Sequence, residues 1–176
     1  MPRVAAVLAA ALLTFATHAA SVIADDSTLS DLPALLHELA PEAKRLVIFW
    51  DARAPQGERD FYRVWDAARA QGLMPIGVEL VGPAGLDAAF ERARGMRAGL
   101  LVLLSERLGP EGLARVAAYA AAHALPAVSV QREFVAAGGL MSLGANGALV
   151  LNLKAARALG LAVPPAIRER AAEVLP

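Results

Sequence analysis

The sequence predicts an α/β fold: an open, doubly wound parallel sheet with helices on both faces. Three observations carry this. Apolar runs of strand length recur at residues 46–50 (LVIFW), 75–81, 99–104 (GLLVLL) and 127–130. Between them lie stretches whose apolar residues repeat at helical spacing. Gly-Pro pairs at 82–83 and 109–110 separate strand from helix, with proline placed where a helix can begin. Unbroken apolar strands suit a sheet buried on both faces, and strand–helix alternation builds right-handed βαβ units.

The elements follow in order. Ser30 or Asp31 can cap a helix over residues 32–39, with Leu32, Leu35, Leu36 and Leu39 on one face and Pro41 as its stop. After the first strand, residues 58–71 form an amphipathic helix that turns Phe61, Val64, Trp65 and Ala68 inward and ends at Gly72. A helix over 86–93 presents Leu86, Ala89, Phe90 and Ala93, and the next presents Leu113, Val116, Ala117 and Ala120. Beyond Arg132 the pattern shortens: a helix over 133–137, a turn at Gly138-Gly139, and short strands over 140–143 and 148–151. Asn152 can cap a helix over 153–159 that ends at Gly160, and Pro164-Pro165 opens a last helix running to Val174.

The chain has 176 residues, enough for one domain with a sizeable core. Hydrophobic residues make up 57% and charged residues 19%, which excludes a disordered chain. Lys+Arg and Asp+Glu balance at 17 each with no basic cluster, so nucleic acid is not an expected partner. Arg3 followed by the apolar run 4–16 and by small residues reads as a signal peptide over 1–24, cleaved after Val22-Ile23-Ala24. That run is shorter than a bilayer-spanning helix requires. A polar linker over 25–30 then leads into a single α/β lobe over 31–176. The chain has no cysteine, hence no disulfide and no lipid-attachment thiol, and the expected location is periplasmic or secreted.

Little in the sequence suggests catalysis. His18, His37 and His123 share no ligand spacing, so no metal site is expected. Gly139-Leu-Met-Ser142-Leu-Gly144 carries one residue too many for a nucleophile elbow, which leaves a Ser142 hydrolase a remote reading. No glycine-rich or Walker sequence follows a strand, so no cofactor is expected. Glu38, Glu42, Glu58 and Asp60 read as solvated helix-end charges, and Trp50 and Trp65 as core residues. What remains is position: ligands of open α/β sheets bind at the carboxyl ends of the strands. The loops there, 51–55, 82–85, 105–109 and 131–133, offer Asp51, Arg53, Ser105, Glu106, Gln131 and Arg132 for a small zwitterion or carboxylate.

The stretches 131–146 (QREFVAAGGLMSLGAN) and 151–163 (LNLKAARALGLAV) resemble the C-terminal signature of one family, the periplasmic ABC-transporter substrate-binding proteins of the type I fold, in the tryptophan/tyrosine-type branch. The likeness extends over about 31–176 and includes AKRLVIFW at 43–50. It departs from the family at Asp51-Ala52, where Asn-Pro is usual, at Ser105-Glu106, at Leu143, where an aromatic is usual, and at Gly144-Ala145-Asn146, where Gly-Pro-Asn is usual. The resemblance implies the C-terminal lobe of a two-lobed binder and no enzymatic activity. It also implies a small amino-acid-like or organic-acid solute, held by Asp51, Ser105, Gln131 and Arg132 with Ser142 and Asn146 nearby. An ABC permease is the implied partner. The alternative is a non-transport single-lobe relic, or a module without ligand binding whose exposed cleft face pairs with itself or with a separate first lobe.

Overall fold

The computed structural model describes residues 26–176; the expected signal peptide over 1–24 lies outside the described residues. Seven strands form one sheet in the order β2-β1-β3-β4-β5-β6-β7. They are β1 (Arg45–Trp50), β2 (Met74–Glu79), β3 (Leu100–Leu103), β4 (Ala127–Ser129), β5 (Met141–Leu143), β6 (Leu149–Asn152) and β7 (Ala171–Leu175). The first five run parallel, as predicted. The β5–β6 pair is antiparallel, and β7 runs parallel to β6. The last two strands therefore run opposite to the rest, because a five-residue link between β5 and β6 is too short for the crossover that a parallel pair requires.

Helices cover both faces. The helices α1 (Asp26–Leu39), α2 (Gly57–Ala70), α6 (Leu153–Ala158) and α7 (Pro165–Arg170) lie on one side. There Leu32, Leu36, Val64, Ala156 and Ile167 bury against Ile48, Val102, Met141 and Leu151. The helices α3 (Leu86–Gly95), α4 (Gly109–Ala122) and α5 (Arg132–Ala136) lie on the other, packing Leu86, Ala89, Val116, Ala120 and Phe134 against Val47, Phe49, Leu101 and Ala127. Alternate residues of one strand feed opposite cores, as the period-2 geometry of a doubly covered sheet demands.

Two expectations need correction. The polar linker over 25–30 is helical from Asp26, and the helix passes through Pro33. Proline removes the N–H that would bond the Leu29 carbonyl, yet Leu29 and Pro33 are both buried. Leu29 extends the apolar stripe of Leu32, Leu36 and Leu39 by one turn, and its burial offsets the lost bond. The last helix, expected to reach Val174, stops at Arg170, and Ala171 is extended. Val174 and Leu175 instead pair with Leu151 and Asn152, where β6 would otherwise present an unpaired edge.

Asn152 caps α6 as its position suggests, accepting a 2.9 Å hydrogen bond from the Ala155 amide. Close packing also fixes Gly139, where an added Cβ would sit 2.4 Å from the Phe134 ring. Among the described residues, no helix is long and apolar enough to cross a membrane.

Candidate functional site

The strand order places a switch point at β1. The chain leaves β1 through α2 to β2 on one side, and returns through α3 to β3 on the other. The crevice between the carboxyl ends of β1 and β3 is where such sheets bind ligands. A cavity of about 320 Å³ opens there. Its polar wall is Asp51, Gln56, Asp60 and Glu106, and its apolar wall includes Leu29, Pro55, Leu104 and Val130.

The loop from β1 to α2 shapes this cavity. Asp51 Oδ1 accepts a 2.8 Å hydrogen bond from the Arg53 amide, and the Ala54 amide donates to the Asp51 carbonyl at 3.1 Å. Gly57 then brings the first turn of α2 down onto that carbonyl, so close that a Cβ would lie 2.0 Å from the oxygen. The Asp51 side chain is thereby 3% exposed, while Arg107, whose Nε stands 3.9 Å from Asp51 Oδ2, is 60% exposed. That separation is an ion pair rather than a hydrogen bond, so Arg107 balances the Asp51 charge from the surface. Gln56 Oε1 is buried without a donor.

Of the six contacts that the resemblance implies, Asp51 alone lines this cavity, joined by Glu106 from the strand-end loops. Ser105 and Gln131 stand just behind it: the Gln131 side-chain amide donates to the Ser105 carbonyl at 2.6 Å, tying the loops after β3 and β4 together. Ser105 is fully buried and its hydroxyl has no partner. Arg132 is directed elsewhere, forming a two-pronged pair with Glu173 of β7 at 2.6–3.0 Å. The hydrogen bond to Glu173 and its charge hold the Arg132 pKa above the usual arginine value. Ser142 lies buried within β5, beside Ser129 in the next strand, and its hydroxyl has no partner. Asn146 shapes the β5–β6 turn, accepting from the Ala148 amide at 3.1 Å, and is exposed.

Asp60, expected as a solvated charge, is half-buried, lines the cavity and accepts hydrogen bonds from the Arg59 guanidinium at 3.1–3.2 Å. The signal was present: Gly57, Asp60 and Val64 fall on one helical face at spacings of three and four. Leu29 was missed because the sequence reading started its helix too late. Trp50 stacks on Phe61 at 4.6 Å over Gly77, in the apolar packing expected of it. His123 is an exposed residue stacked on Tyr119 at 4.2 Å. Among the described residues, no group of three or more His, Cys, Asp or Glu could hold a metal ion.

A second hollow, of about 220 Å³, lies at the opposite edge of the sheet, between α4 and α6. Its wall is mostly alanine and leucine, including Ala117, Ala120, Ala155, Ala158 and Leu159, with Lys154 and Asn152 as its polar side chains.

No protein-family model matches the sequence, and no curated protein matches it either. Solved structures do. The ABC domain from Streptococcus pneumonia, determined in complex with L-Trp, superposes with a TM-score of 0.75 at 14% identity, over 84% of this chain. A conserved domain protein from Vibrio cholerae superposes with a TM-score of 0.70 at 16% identity, over 83% of this chain. The ligand-free, open form of a substrate binding protein with adhesive properties from Clostridium difficile superposes with a TM-score of 0.68 at 15% identity, over 87%. This chain spans 60% of the length of each. It has the fold of one lobe of ABC-type substrate-binding proteins.

Proposed function

We propose that the chain is a solute-binding lobe of an ABC-type importer, exported to the periplasm, which holds a small amino-acid-like or organic-acid solute without transforming it. The observation that carries this reading is the buried Asp51 carboxylate in the wall of the switch-point cavity, beside a Gln56 amide oxygen that is buried without a donor. A buried amide oxygen without a donor is costly, and a ligand that supplies one lowers that cost. Support also comes from the fold, shared with a protein solved in complex with L-Trp.

Two-lobed binders enclose solute between lobes and close about a hinge. A micromolar solute is worth about −8 kcal/mol, and losing half its contacts leaves about −4 kcal/mol, which corresponds to millimolar binding. A panel of amino acids and small organic acids at millimolar concentration should therefore raise the melting temperature for at least one member, and Asp51→Asn should abolish that rise. No rise with any member would overturn the reading.

A further inference from the structure

We infer that Gln131 is a positioning residue that fixes the distance between the loops after β3 and β4, and so limits the size of solute the switch-point cavity takes; this rests on the solute-binding reading above. Backbone pairing between those strands ends at Leu103 and Ser129. Ser105 and Gln131 each stand two residues further along, beyond the ladder. There the Gln131 side-chain amide donates to the Ser105 carbonyl at 2.6 Å, continuing the pairing with a side chain in place of backbone. Ser105 is fully buried, so water does not reach that carbonyl and losing its donor is costly. Both ends of the bond adjoin the cavity wall. Leu104 and Glu106 flank Ser105, and Val130 precedes Gln131, and all of them line the cavity. The rest of the lining comes from Leu29 and from the β1–α2 segment between Asp51 and Asp60. Parting the two loops therefore widens the cavity directly.

Gln131 is itself held from both sides of its backbone. Its amide donates to the buried Ser129 hydroxyl at 3.2 Å, and its carbonyl accepts from the Phe134 amide at 3.1 Å. Its backbone is extended, with φ −102° and ψ 124°, as suits a residue that prolongs a strand. The side chain thus reaches across from a fixed base, and walls ordered in advance spare a solute the cost of ordering them. A carbonyl can only accept, so the donor end of the Gln131 amide must be the end that faces Ser105. Gln131 is not part of the cavity lining, and its influence reaches the solute through Leu104, Glu106 and Val130.

The test compares the wild-type chain with Gln131→Met, which keeps the length and bulk but cannot donate, and with Gln131→Ala. Backbone amide shifts are recorded for each free protein. Each is then titrated with two series graded in size, amino acids from glycine to tryptophan and acids from acetate to hexanoate, with melting temperature as the readout. Both variants should move the amides of residues 104–106 in the free protein. They should weaken the best wild-type solute about fivefold and shift the preference toward a larger member of its series. Unmoved amides at residues 104–106 would overturn the tie between the loops. Moved amides with every solute weakened alike would overturn size selection and leave the bond a structural one. A wild-type response in Gln131→Met, lost only in Gln131→Ala, would overturn the hydrogen bond as its cause. A wild-type chain silent to both series would overturn solute binding, and size selection with it, while the free-protein shifts still judge the tie.

Discussion

The two hollows lie at opposite edges of one sheet and differ in chemistry more than in size. The upper one, at about 320 Å³, brings together three carboxylates and a buried amide oxygen without a donor. The lower one, at about 220 Å³, is an alanine-lined gap between α4 and α6, and the amide of Asn152 beside it already serves as the α6 cap. A gap between two helices with small facing side chains is a packing consequence, since alanine leaves space that leucine would fill. The Gln56 amide oxygen, buried without a donor, raises the energy of the empty upper site, and a donor-bearing ligand relieves it. The comparison teaches that volume alone does not mark a site; unmet hydrogen-bonding demand does.

Three substitutions sharpen the contrast, in order of expected effect on stability. Phe134→Ala removes a fully buried ring that packs against Gly139 in the wall of the lower hollow. It should cost about 3–5 kcal/mol in urea unfolding yet leave the solute response of the folded fraction unchanged. Gly57→Ala forces a Cβ onto the Asp51 carbonyl oxygen and displaces the β1–α2 loop. Its stability cost, about 1–3 kcal/mol, should be smaller, but solute affinity should fall at least tenfold because Asp51 moves. Asn152→Ala removes the α6 cap beside the lower hollow, and should cost about 1 kcal/mol with no change in solute response. A lost response in Phe134→Ala or Asn152→Ala, with the upper loop intact, would break the distinction between the two edges.

The first three strands and the helices between them are the part that sequence describes well. The runs LVIFW and GLLVLL could only be strands buried on both faces, and the helix between 58 and 71 had an unambiguous apolar stripe. Strand ends follow from them, and with them the place of Asp51, the first residue after β1. The C-terminal part of the chain depends on distant partners. Residues 171–175 adopt a strand because β6 offers them an edge, a tertiary effect with no local signature. The Arg132–Glu173 pair rests on that strand, so Arg132 looked available as a ligand contact until β7 was in place. The long hydrogen bond from Thr28 Oγ1 to the Ala145 carbonyl, at 3.5 Å across 117 residues, likewise has no trace in local pattern. Local patterning reports hydrophobic period and turns; it cannot report which side chains the last strands will engage.

The most direct test is to titrate the isotope-labelled chain with the panel solute that most raises its melting temperature, and to follow backbone amide chemical shifts by NMR. Binding at the carboxyl edge predicts the largest shifts at residues 51–57 and 104–106 and at Val130, with residues 117–121 and 154–159 unmoved. The largest shifts in those latter two segments, around the alanine-lined gap, would contradict the assignment of the switch-point cavity as the solute site.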